Sequence, residues 1–208
     1  MADASLHPFA VATRLVEPSA IGYWSALHHH GFTEQIPQAV FAMTPSKVVT
    51  PSMRLRSLSR ASEGHAWKIG VTRYHYVTVK REYFFGIEPV WVNEQFRIPL
   101  TDKERTVLET FASPRLFGGI GEALALIEQN ADKLDVKRLV NYAEHYGKAS
   151  VAKRLGWALE RTGISEKALS PLRKMPVMGL TILDPTRARR GPCNSQWQIQ
   201  ENLVGRDR

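Results

Sequence analysis

Cysteine is nearly missing from this chain of 208 residues: Cys193 stands alone. That excludes an intramolecular disulfide and any zinc cluster built on several thiolates, and it fits a reducing compartment. No run approaches the roughly 18 apolar residues of a membrane span, so no transmembrane helix is expected. The opening MADASLHPFAVATRLVEPSA has no charged segment followed by an apolar one and does not read as a secretory signal. Local signatures of catalysis are missing as well. There is no Glu-x-Lys, no Asp-x-Asp, no Gly-Ser dipeptide and no Gly-x-Ser-x-Gly. These absences argue against a restriction-type nuclease, a two-metal nucleotidyltransferase and a serine hydrolase. Gly118-Gly119-Ile120-Gly121 has the glycines of a phosphate loop but lacks the Lys-Ser or Lys-Thr that completes one, so it reads as a turn between helices. No enzyme, no cofactor and no metal are expected, and the setting expected is a soluble, cytoplasmic one.

Positive charge is in surplus. Lys and Arg number 28 against 20 Asp and Glu, a formal +8. Residues 1–110 hold 12 basic and 10 acidic side chains, and residues 111–208 hold 16 and 10. A basic C-terminal half points to a polyanionic partner, with nucleic acid first and DNA, the chain's own operator, as the possible form of it. The densest cluster is Arg187, Arg189 and Arg190; Arg54, Arg56 and Arg60 form a second. Lys137, Arg138, Lys153 and Arg154 add a helical set, for which a solvated helix face is as good a reading. The two arginine clusters are the stronger candidates, because the guanidinium fork suits phosphate. His28-His29-His30 does not read as a metal site. Neighbouring helical side chains diverge by about 100°, while imidazoles sit well at a helix C-terminus.

Periodicity predicts an α/β (α+β) fold. A short helix over 10–16 is interrupted by Glu17-Pro18-Ser19. Ser19 would then cap a helix over 20–30, with Gly31 as its stop. Residues 37–99 read as β: AVFAMT (39–44), RLRSLS (54–59), HAWKIGV (65–71), RYHYVTVK (73–80), PVWV (89–92) and QFRIP (95–99), the last two a hairpin around Asn93-Glu94. Thr101 and Glu104 form a capping box for a helix that turns Val107, Leu108 and Phe111 inward. Helices over 119–130, from Asp135 to Gly147, and over 148–163 follow, then a last one cut by Pro171. Two short strands flank RARRGPCNS near the end. The expectation is one domain: an N-terminal helix on a mostly antiparallel mixed sheet (1–113), then a mainly helical basic lobe (114–208).

LVEPSAIGYWSALHHHGFTEQIPQAVFAMT (15–44) resembles the opening of the AbiEi antitoxin C-terminal domain, through Pro18, Ser19, Tyr23, Trp24, Ser25, Ala26, Leu27, His30, Gly31, Thr33, Gln35 and Pro37. KERTVLETF (103–111) is similar to that family's Glu-Arg-Thr helix, with Glu109 where Asp is usual. Tyr142, Arg154, Leu155, Gly156 and Leu159 resemble its helical hairpin, and Leu183-Asp184-Pro185 and Trp197 to Asn202 its C-terminal turn and strand. The resemblance implies the antitoxin and transcriptional regulator of a type IV bacterial toxin–antitoxin pair. Its functional partner would be a nucleotidyltransferase-like toxin, countered without a stable complex. Members usually carry an N-terminal winged helix-turn-helix that binds operator DNA. The roughly 17 residues ahead of the first signature helix are too few for one, so repression would fall to a separate protein or to this domain's basic surface. From the residues themselves, Tyr23, Trp24 and Leu27 read as core anchors, and Ser25 and His30 as structural. Two other readings stay open: a nucleic-acid-binding regulator with no antitoxin role, and a degenerate metal-dependent nuclease on an α/β core.

Overall fold

The computed structural model describes residues 6–48 and 66–203, and Arg54, Arg56, Arg60 and the strand expected over 54–59 lie outside them. The chain divides into two compact units, Met1–Asp102 and Lys103–Arg208.

In the first unit, Pro8 opens helix α1 (Pro8–Leu15), and the His7 ring accepts from the Phe9 amide. Strands β1 (Ala20–Ile21), β2 (Ala39–Thr44), β3 (Ala66–Ile69), β4 (Thr72–Thr78), β5 (Ile87–Trp91) and β6 (Arg97–Thr101) form one sheet in the order β3-β4-β2-β1-β6-β5. Ladders β3–β4, β1–β2 and β5–β6 are antiparallel; β2–β4 and β1–β6 are parallel. The sheet is thus mixed, as the strand texture predicts. Alternation sends Val40, Ala42, Tyr74 and Tyr76 to the core face with Ala10 and Ala12 of α1. The Tyr76 hydroxyl donates to the Ala12 carbonyl at 2.6 Å and ties helix to sheet. The β5–β6 turn is closed by Asn93, whose Oδ1 accepts from the Gln95 and Phe96 amides. In this ladder Pro89 stands opposite Pro99.

Ser19 caps nothing. Residues Ala20 and Ile21 are a strand, and helix α2 (Tyr23–His29) begins at Gly22. Ala-Ile is too short to declare a period, and pairing with Met43 and Leu100 decides it. Tyr23 is held at φ 54°, a conformation that bulky side chains rarely adopt, and its side chain is buried. Gly31, at φ 70°, ends the helix as expected. His30 Nε2 donates to the Thr101 carbonyl at 2.7 Å, a structural role.

The second unit starts with α3 (Lys103–Ala112), which the sequence places in the first lobe and which packs on helices of the second. Thr101 belongs to β6, and the Glu104 carboxylate accepts from the Asp135 amide at 2.9 Å. Helices α4 (Gly121–Asn130), α5 (Val136–Tyr146), α6 (Ala149–Arg161) and α7 (Glu166–Lys174) follow. Asp135 caps α5 by accepting from the Arg138 amide, and Gly147 stops it at φ 70°. Pro171 does not cut α7; the helix runs through it. The proline forfeits one i→i−4 bond, and the fully buried Leu169 and Leu172 hold the turn in place. The end of the unit is a three-stranded sheet, β7 (Thr181–Ile182), β8 (Cys193–Asn194) and β9 (Ile199–Gln200), ordered β7-β9-β8. Among the described residues no helix is long and apolar enough to cross a membrane.

Candidate nucleic-acid interface

The loop from β7 to β8 carries Arg187, Arg189 and Arg190, all exposed. Its shape is set by two buried side chains. Asn202 accepts from the Asp184 amide at 2.8 Å and donates to the carbonyls of Asp184 (2.8 Å) and Ala188 (3.0 Å). The Asp184 carboxylate accepts from the Thr186 hydroxyl (2.6 Å), the Thr186 amide (2.8 Å) and the Ile120 amide (3.4 Å). At the far end Gly191 lies so close to strand β9 that a Cβ would sit 1.9 Å from the Glu201 carbonyl oxygen, so only glycine fits. Arg187 Nε lies 3.3 Å from Asp184 Oδ2 with its side chain half exposed. Arg189 and Arg190 have no carboxylate within 4 Å among the described residues. Two free guanidinium groups and one tethered one therefore project from a braced loop, which lowers the entropy lost on gripping a phosphate.

Burial pushes the Asp184 carboxyl upward, but the Thr186 hydroxyl and amide, the Ile120 amide and Arg187 outweigh it and hold the group below its ordinary value. A depressed folded-state value means that Asp184 contributes stability above its unfolded value of about 3.9, and that the contribution is lost as pH falls through the folded value. Thermal unfolding followed from pH 6 to pH 3 is expected to show a steep acid-side loss that Asp184→Asn flattens.

The helical set separates. Lys137 and Arg138 are exposed on the first turn of α5, with Arg138 3.6 Å from Glu104. Lys153 and Arg154 are not surface cations. Lys153 is 1% exposed and donates through Nζ to the Arg173 carbonyl; Arg154 donates through Nε to the Ile182 carbonyl at 2.9 Å. Their stretch of α6, from Val151 to Leu159, is buried on every side, so charge there braces neighbouring elements instead of meeting solvent. Both are withdrawn from the candidate interface.

The rest of the braces was not legible as function. Trp197 is fully buried and donates to Glu160 at 2.8 Å, with the Arg173 guanidinium 5.2 Å over its ring. Trp157 donates to Glu201 at 2.8 Å. Glu160 and Glu201 thus clamp the small sheet to α6.

In the first unit the β3–β4 hairpin places Lys68 directly opposite Arg73, a pairing set by the two-residue turn Gly70-Val71. Beside α1 a cavity of about 920 Å³ is lined mainly by apolar groups, among them Leu15, Phe84, Phe96 and Ile98. Its charged neighbours Arg14 and Glu17 satisfy each other at 3.0 Å. Among the described residues no three His, Cys, Asp or Glu side chains gather as metal ligands. His28 and His29 are exposed at the surface, and partial desolvation of the His29 ring, followed by the neighbouring imidazoles, lowers its affinity for a proton.

No family model matches the chain, and no curated protein matches it. Among solved structures, the RV2827C protein from Mycobacterium tuberculosis is similar, with a TM-score of 0.60 over 96% of this chain and 69% of that one, at 14% identity. At that identity the likeness establishes the mixed α/β fold and nothing about activity.

Proposed function

We propose that this chain is the antitoxin and regulator of a type IV, AbiE-like toxin–antitoxin pair. It is non-enzymatic, acts in the bacterial cytoplasm in abortive infection by phage, and counters a nucleotidyltransferase-like toxin without a stable complex. The ordered motifs from Pro18 to Asn202 that resemble the AbiEi domain support the antitoxin reading. The DNA part of the reading rests on one observation: Arg189 and Arg190 stand exposed and unpaired on a loop braced by Asp184 and Asn202. Lys137 and Arg138, on a separate helix, extend the basic surface of the same unit. Arg54, Arg56 and Arg60 remain candidates from the sequence alone.

Co-expression with the toxin gene next to it tests the antitoxin role: relief of growth arrest is expected, and persistent arrest overturns it. Gel shift on duplex DNA from the chain's own promoter tests the loop. Binding that rests on phosphates weakens steeply with salt, by about 0.9 in log–log slope for each phosphate neutralised. Replacing Arg187, Arg189 and Arg190 together by alanine is expected to lower that slope by roughly 2–3. Binding and slope equal to those of the parent chain would assign the DNA contact elsewhere. Relief of arrest by the same triple variant would separate antitoxin action from DNA binding.

A further inference from the structure

Alternation gives the β2–β3–β4 end of the large sheet two unlike faces. Tyr74, Tyr76, Val40 and Ala42 point to the core face. The register puts Lys68 beside Arg73 on the opposite face, and Phe41 beside His75 one step along. Lys68 and Arg73 are exposed, and neither has a carboxylate within 4 Å among the described residues. Like charges directly across a ladder repel, and among the described residues this pair has no counter-charge to make it favourable. The Phe41 and His75 rings lie 5.1 Å apart at 42°, partly open to solvent. At the tip of the hairpin Ile69 is 44% and Val71 97% exposed.

Two exposed cations with no ion-pair partner among the described residues, next to two rings on one face of the strands, match a polyanion whose bases are unstacked. A duplex keeps its base faces covered; a single strand offers both phosphates and π-faces. We propose that this face binds single-stranded nucleic acid, with Lys68 and Arg73 on successive phosphates and Phe41 and His75 under the bases. The site lies in the first unit and does not rest on the arginine loop of the second.

The test is fluorescence anisotropy of the full chain with a labelled 15-nucleotide oligo-dT, and with a duplex of the same length, at several salt concentrations. The single strand is expected to bind more tightly than the duplex to a chain carrying Arg187→Ala, Arg189→Ala and Arg190→Ala, with Lys137→Gln and Arg138→Gln added, which removes the basic candidates of the second unit. In that background Lys68→Gln with Arg73→Gln is expected to weaken binding at least tenfold and to reduce the log–log salt slope by about 1.4, at about 0.7 for each single-strand phosphate. Phe41→Leu is expected to weaken binding with the slope unchanged. Both substituted cations are exposed, so an unaltered thermal melt verifies that the fold persists. Absence of single-strand binding, tighter binding of the duplex, or parent-like affinity in the Lys68/Arg73 variant overturns the proposal.

Discussion

Replacing Arg105 by alanine is expected to lower the unfolding free energy by about 3–5 kcal/mol, because it removes a cation that faces a buried carboxylate. Arg105 and Glu109 sit one turn apart on α3, with Nη2 3.8 Å from Oε1 and both side chains about 2% exposed. The guanidinium also lies 5.6 Å over the Tyr146 ring of α5, so truncation removes a cation–π contact as well as a charge. An exposed pair of the same spacing contributes only about 0.3–0.5 kcal/mol. Urea denaturation separates the two cases: the midpoint falls while the slope stays constant, since the surface exposed on unfolding hardly changes. A loss below about 1 kcal/mol would show that the pair behaves as a surface pair. Replacing both partners by Met is expected to recover most of the loss, since a buried pair is costly to break and cheap to exchange for apolar volume.

Gly156→Ala is expected to cost about 3 kcal/mol, although alanine is the better helix former. A Cβ at this position would lie 2.2 Å from Cζ3 and 2.3 Å from Cη2 of Trp197. That ring cannot step aside. Its indole N–H is held by Glu160, its backbone amide by Asn194, and its face by Arg173. Calorimetry is expected to show a melting temperature lower by roughly 10 °C. Adding Trp197→Leu makes room, so the double variant is expected to be less unstable than the two single losses summed, a coupling that a mutant cycle reads directly. Additive losses would mean that the helix and the small sheet do not press on each other here.

What could be read from the residues was local. Asp135 and Gly147 bracket α5 because a carboxylate that accepts from the third amide and a glycine at positive φ need only their neighbours. Asn93 likewise encodes the β5–β6 turn. What escaped was decided at a distance. Ala20 and Ile21 become a strand through Met43 and Leu100. Glu104, spaced as a capping residue, is claimed by Asp135 thirty-one positions on. For the interface, cationic character does not amount to exposure at Lys153 and Arg154. Nothing near them in the chain reveals that the carbonyls of Arg173 and Ile182 await their nitrogens. The arginine loop was visible as composition. Its braces, Asp184 and Asn202, stand eighteen positions apart, and composition carries no trace of their meeting.

The prolines of the β5–β6 ladder have a consequence for self-association. Two residues that both lack an amide hydrogen cannot be a hydrogen-bonded pair, so Pro89, facing Pro99, turns its missing donor outward along the rim of the sheet. The Pro89 carbonyl on that rim is met by Arg97 Nε at 3.4 Å. Neither half of a backbone handshake is on offer there. A strand from a second molecule meets a gap at the middle of β5, between the outward groups of Ile87 and Trp91, and this interruption disfavours sheet-by-sheet growth along the border.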